Sequence, residues 1–156
     1  MTDAEIDAKL AELGLSLPEP VAPVAAYVPV VIGGGLAHVS GQLPFVGGVL
    51  VKGRLGEDLS IEQGHEAARA CGLMILAQLR AALGSMERVE RVVKLGAFVS
   101  STGAFTDQPR VANGASELMA AVFGEAGKHA RSAVGVQVLP LGAAVEVDAI
   151  VAVRPA

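Results

Sequence analysis

Residues 130–153 read ARSAVGVQVLPLGAAVEVDAIVAV, and the second half of this stretch decides the fold. Val145, Val147, Ala149, Val151 and Val153 alternate with Glu146, Asp148, Ile150, Ala152 and Arg154. A period of two places one set on a buried sheet face and the other on the opposite face. A second strand pattern runs from Arg131 to Val138 and breaks at Leu139-Pro140, so 131–138 and 145–153 are read as a closing hairpin. Arg131 stands alone among small and apolar residues. Its planar fork of donors suits a carboxylate held bidentately, and its charge cannot be titrated away to ease burial. It is the leading candidate for a ligand contact, weighed against a surface or interface salt bridge, a common fate of arginine.

Upstream, Ser60-Ile61-Glu62-Gln63 has the spacing of a capping box, and Ala68, Cys71, Ile75, Leu79 and Ala82 trace one helical face as far as Gly84. Residues 91–100 form a β-rich run with Val93, Leu95, Ala97 and Val99 on one side. Asp107 and Pro109 announce a second helix, striped by Val111, Leu118 and Val122 and ended by Gly124. Nearer the start, 24–32 and 36–42 read as strands around a Gly33-Gly34-Gly35 hairpin turn, with a third apolar run at 49–51. The predicted order is βββαβαββ. This is an α+β domain, a mixed sheet with its helices on one face.

Ahead of it, Ile6, Leu10 and Leu13 fit a short amphipathic helix behind Thr2 as N-cap, with Gly14 as its stop. Pro18, Pro20 and Pro23 then force an extended connector. Residues 1–23 are therefore read as an appended helix and Pro-rich connector that cover neighbouring surface, and 24–156 as one domain.

Composition narrows the function. No apolar run approaches the ~18 residues of a membrane span. The start of the chain lacks a signal-peptide pattern and Cys71 is the single cysteine, which together predict a cytoplasmic setting. A net charge of −4, 12 scattered Lys and Arg, and 3% aromatics make a poor footprint for nucleic acid. With 52% hydrophobic residues and few charges, more apolar surface is expected than one monomer hides, which favours an oligomer.

Ser40-Gly41-Gln42-Leu43-Pro44, Asn113, Ala130-Arg131-Ser132-Ala133-Val134, and Leu139-Pro140 ahead of Glu146 occur in this order on the predicted elements. In this the chain resembles the RidA (YjgF) family from about Tyr27 to Val153. The resemblance implies a chorismate-mutase-like homotrimer with clefts between subunits, free of metal and cofactor. It also implies hydrolysis of reactive 2-imino or 2-enamino acids to 2-keto acids and ammonia. Carried over, it makes Arg131 the carboxylate clamp and Glu146 the residue beside the attacking water, with Tyr27, Ser40, Gly41 and Asn113 lining the cleft. Ala133 stands where the deaminases often have cysteine, and residues 1–23 exceed the compact family pattern, so the chain looks closest to a longer, less characterised branch.

Each of these residues also has a plainer reading. Glu146 fits a solvated place on a strand's polar face. Tyr27 fits the core, given a partner for its hydroxyl. Ser40-Gly41 fits a strand end, although a glycine there also lets backbone N–H groups approach an anion. Asn113-Gly114 pairs two poor helix formers inside a helix, which invites a packing or cleft explanation. His38, His65 and His129 lack metal-ligand spacing and read as structural or surface residues. Cys71 falls on a buried stripe, where a thiol is usually inert.

In the hairpin register Gln137 opposes Glu146, and Arg131 lies six residues away, roughly 20 Å at ~3.3 Å per residue. One small acid cannot bridge that gap. A bulge, a different register or a subunit boundary must close it. Two functions follow, an imine or enamine deaminase and a non-catalytic binder of small carboxylates that uses the same cleft.

Overall fold

Helix boundaries in the computed structural model, which describes residues 1–23 and 25–156, follow the local chemistry closely. At α1 (Asp3–Glu12) the Thr2 hydroxyl accepts from the Glu5 N–H at 3.1 Å while the Glu5 carboxylate accepts from the Thr2 N–H at 2.7 Å. Ser60 and Gln63 repeat this reciprocal cap at α2 (Ile61–Leu83), which ends at Gly84 in the left-handed region. Pro109 lies in the first turn of α3 (Gln108–Phe123), where a missing N–H costs no helical bond. β1 (Val30–Gly33) and β2 (Leu36–Gln42) are joined by Gly34 and Gly35 at φ 59° and 76°, a two-residue turn that needs positive φ twice. Of the strand expected from residue 24, Val24 lies outside the described residues and the ladder begins only at Val30. The apolar run at 49–51 supplies β4 (Val49–Leu50), which pairs with β3 (Phe45–Val46) as a separate ribbon.

The main sheet has the order β1-β2-β7-β5-β6, where β5 spans Val89–Ser100, β6 Ala130–Val136 and β7 Val145–Val153. This corrects the closing hairpin: β6 and β7 are not neighbours, because β5 lies between them, parallel to β6 and antiparallel to β7. The alternation of 145–153 specifies which side chains are buried but not which strand lies alongside. Burial explains the choice. β7 has every second residue buried and takes the centre, whereas β6, with Ser132, Val134 and Gly135 exposed, takes an edge. The end of β5 holds both flanks, since Ser100 N–H donates to Ala144 O at 2.9 Å and Ser101 N–H to Val136 O at 3.1 Å.

α2 and α3 cover one face, over Leu95, Ala97, Val99, Val147 and Val151. α1 packs onto the same core. Ile6 and Leu10 are fully buried within it, each contributing on the order of 1.5–3 kcal/mol. The Asp3 carboxylate accepts from Ser85 Oγ (2.9 Å) and Met86 N–H (3.0 Å), and Arg80 reaches Asp3 (3.4 Å) and Asp7 (2.9 Å). The Pro-containing connector that follows does not detach the helix, because Leu15 and Leu17 pack on the core and Gln78 Nε2 donates to Val21 O at 2.7 Å. Among the described residues no helix is long and apolar enough to cross a membrane.

Candidate functional site

Arg131 sits on edge strand β6 opposite Leu95, so its side chain is on the helix side of the sheet. There it meets α3. Nη1 donates to Asn113 Oδ1 at 2.9 Å and to Ser116 Oγ at 3.1 Å, and Nη2 reaches the Pro109 carbonyl at 3.4 Å. Nε has no partner among the described residues. The Nε–Nη2 edge, the pair of parallel N–H groups that fits a carboxylate, is thus the less engaged side of the fork. The helix cost of Asn113-Gly114 is explained here: Asn113 serves the arginine, and a Cβ on Gly114 would run into the His65 carbonyl where α2 and α3 cross.

The second group gathers on the opposite, helix-free face. Between Val39 and Gln42 β2 shifts register against β7, a bulge that brings Gly41 onto Glu146. A Cβ at 41 would lie 2.5 Å from Glu146 Oε2 and 2.7 Å from its Cδ, so only glycine lets this carboxylate lie flat on the strand. Asp148 has the same arrangement over Gly96, whose Cβ would strike Asp148 Oδ1. Ser40 Oγ donates to Val28 O at 2.8 Å, which ties β2 to the segment carrying Tyr27. Tyr27 is half exposed and shares a small apolar recess with Pro29, Gly41, Phe45 and Met74. Burial raises the pKa of the Glu146 carboxyl, and the neighbouring charge of Asp148 raises it further. Asp148 is also raised by burial, against the opposing pull of the Gly96 N–H and Lys94. A carboxyl that holds its proton more readily than usual is better suited to taking one up and handing it on.

These two groups do not meet within one chain. Glu146 pairs with Phe98 and Arg131 with Leu95, three residues apart along β5 and on opposite faces. Along and across the strands the separation of the two Cα positions is roughly 14 Å. Of the predicted residues, the structure therefore joins Arg131 with Asn113 and Gly41 with Glu146, while Tyr27 shares its recess with Gly41 and Ser40 ties β2 to the segment that carries Tyr27. Sequence reasoning missed Asp148, Ser116 and His129. Ser116 falls three residues after Asn113 and His129 two before Arg131, spacings that share a face with the known candidates. Cys71 is fully buried and its thiol pKa is pushed well up by burial, which leaves it inert.

The model of the YjgF/chorismate-mutase-like family, whose description proposes endoribonuclease activity, matches residues 7–152. Protein TCP17 of Trypanosoma cruzi is 53% identical over 97% of this chain and 96% of its own. The solved structure of Atu1372 from Agrobacterium tumefaciens superposes with a TM-score of 0.92 at 46% identity, covering 97% of this chain and 94% of that one. RidA from the Antarctic bacterium Psychrobacter sp. is similar at 29% identity and a TM-score of 0.59, covering 86% and 94%.

Proposed function

The chain belongs to the YjgF/chorismate-mutase-like family, and we propose that it hydrolyses reactive 2-imino and 2-enamino acids to 2-keto acids and ammonia. The reaction takes place in a cleft between subunits of a homotrimer. The observation that carries this reading is the separation just described: the open edge of Arg131 and the carboxyl of Glu146 lie on opposite faces of one sheet, so each chain offers two unlike half-sites. A cyclic assembly joins the Arg131 edge of one subunit to the Glu146 face of the next. The exposed Val31 and Val134 on the helix-free face are the kind of surface such an assembly covers.

In that cleft the Nε–Nη2 edge holds the substrate carboxylate and fixes the C=N carbon in place. Glu146 takes a proton from water as its oxygen adds to that carbon. The carboxyl returns that proton to nitrogen, giving a carbinolamine, and the carboxylate then carries the new hydroxyl proton to the same nitrogen as the C=O bond forms and the C–N bond breaks, so the keto acid and ammonia leave. An enamine first takes a proton at its β-carbon and gives up an N–H proton to become the imine, and both forms are already reactive, so positioning and one carboxyl working twice suffice. RNA cleavage is not part of this reading, because a net charge of −4 with only 12 scattered Lys and Arg is a poor footprint for a phosphate backbone. One observation favours the second reading, a carboxylate binder without turnover: Ala133 offers only a methyl group beside the clamp, with no acid or base of its own. The test is release of ammonia and keto acid from a panel of imines generated in situ by an amino-acid oxidase. Acceleration supports deamination. Binding of keto acids with no acceleration across the panel would leave the binding function alone.

A further inference from the structure

Arg131 is held by a chain of hydrogen bonds that continues beyond its immediate partners. Ser116 Oγ, 3.1 Å from Arg131 Nη1, lies 2.8 Å from His129 Nε2, and His129 Nδ1 lies 2.6 Å from the Gly127 carbonyl. With the His129 ring neutral, the two ends of this chain set the direction of each hydrogen bond in it. Arginine can only donate, so Ser116 Oγ accepts from Nη1. A carbonyl can only accept, so His129 carries its proton on Nδ1 and donates it to Gly127 O. In the neutral ring Nε2 is then a bare acceptor, and the Ser116 hydroxyl must donate to it. All members point one way, from Arg131 through Ser116 and His129 to Gly127.

We infer that Ser116 and His129 are positioning residues that pin the Nη1 side of the Arg131 guanidinium so that the Nε–Nη2 edge is preset for a carboxylate. The inference rests on the reading of Arg131 as the clamp. Pro109, Asn113 and Ser116, at spacings of four and three, lie on one face of α3, so a single helix supplies the contacts to both Nη atoms. Without Ser116, Nη1 keeps only Asn113 and Nη2 only the long 3.4 Å contact to the Pro109 carbonyl, so the planar group is held less firmly. Ser116 supplies a second contact, and because its hydroxyl proton is committed to His129 its lone pairs stay turned toward the arginine. The far end is anchored too: a Cβ on Gly127 would clash with the Met119 carbonyl, so a glycine there lets this segment pack on the end of α3 and bring its carbonyl to the ring. A fork already held in its binding orientation avoids the ordering cost that a free arginine meets on capturing a ligand.

The test compares Ser116→Ala, His129→Leu, the double variant and Ser116→Thr in the full-length protein, with pyruvate as a non-reactive probe in calorimetry. Each single loss is expected to weaken pyruvate binding about three- to tenfold, the ordering cost of one long side chain. The double variant should be no worse than either single one, because the relay acts as a unit. Ser116→Thr keeps the hydroxyl and should bind like the parent. In the imine assay KM should rise in the same proportion with kcat nearly unchanged. A ligand-free readout accompanies these: nitrogen-15 spectra of the Arg131 side chain should resolve distinct Nη signals in the parent and show them averaged by rotation in Ser116→Ala. If the parent binds no keto acid and releases no ammonia, the deaminase reading fails while the Nη signals still decide the relay. Unchanged Nη signals and unchanged affinity in Ser116→Ala, or additive losses in the double variant, would overturn the inference.

Discussion

Adding one methyl group at Gly41 tests how the Glu146 carboxyl is held. In Gly41→Ala the new Cβ would lie 2.5 Å from Glu146 Oε2, 2.7 Å from Cδ and 3.0 Å from Cγ. Ordinary contact begins near 3.4 Å, so the carboxyl must retreat by roughly 0.9 Å or the two strands must part. Crowding of this kind costs about 1–2 kcal/mol, which lowers Tm by about 2–8 °C in a chain of this length. The effect on turnover should be larger. A proton-transferring group displaced by ~1 Å costs on the order of 10- to 100-fold in rate, so kcat in the imine assay should fall by that factor while keto-acid affinity at Arg131 changes little. A double-mutant cycle isolates the cause. With Glu146→Ala there is no carboxyl to displace, and Gly41→Ala should then have almost no effect on Tm. An equal loss of stability in both backgrounds, or a Gly41→Ala protein with full activity, would refute the claim that this glycine exists to seat Glu146.

Three further outcomes are expected. Arg131→Lys should resemble Arg131→Ala in calorimetry with pyruvate, each losing about 2 kcal/mol or roughly thirtyfold in affinity, because lysine keeps the charge without the parallel donors. Glu146→Gln should abolish turnover yet raise Tm at pH 7. The folded state holds the proton of this raised carboxyl more tightly than the unfolded chain, so its ionised form is a liability above the ordinary value of 4.5. The gain in Tm should vanish as pH falls toward that value, and a gain that grows on acidification would contradict the assigned direction. Ile6→Ala should cost about 2–4 kcal/mol and lower Tm by about 4–16 °C in calorimetric melts, since Ile6 is fully buried in the shared core.

Much of this molecule was legible from local chemistry. The capping boxes at Thr2 and Ser60, the glycine stop at 84, the Gly34-Gly35 turn and the buried parity of 145–153 are decided by neighbours a few residues away, which sequence displays directly. What sequence does not display is which strand lies beside which. The insertion of β5 between β6 and β7 depends on how α3 returns the chain, and alternation within 131–138 or 145–153 carries no trace of it. That one misplacement put Arg131 and Glu146 on a shared hairpin, when they lie on opposite faces with a strand between them. The packing of α1 is hidden for a related reason. Its two buried residues, Ile6 and Leu10, look like the thin stripe of a peripheral helix, and only packing reveals that they complete the main core. At the candidate site the sequence pointed to Arg131, Asn113 and Glu146 through side-chain chemistry and resemblance. It passed over Ser116 and His129 because a lone serine and a lone histidine have no distinctive pattern until the fold aligns them with the arginine.

The central claim, that Arg131 and Glu146 act together only across a subunit boundary, is tested most directly by mixing two inactive proteins. Arg131→Ala and Glu146→Gln chains, assayed at substrate well below the parent KM so that each is nearly inactive as a pure assembly, are unfolded together in equal amounts and refolded. If each cleft takes its arginine from one subunit and its carboxyl from the next, about a quarter of the clefts in a randomly mixed ring regain both residues, and about a quarter of the parent activity should return. If both residues serve the same cleft from the same chain, no mixture can restore a complete site. Activity that stays at the level of the unmixed variants, in assemblies shown by mass spectrometry to contain both chains, would contradict the account.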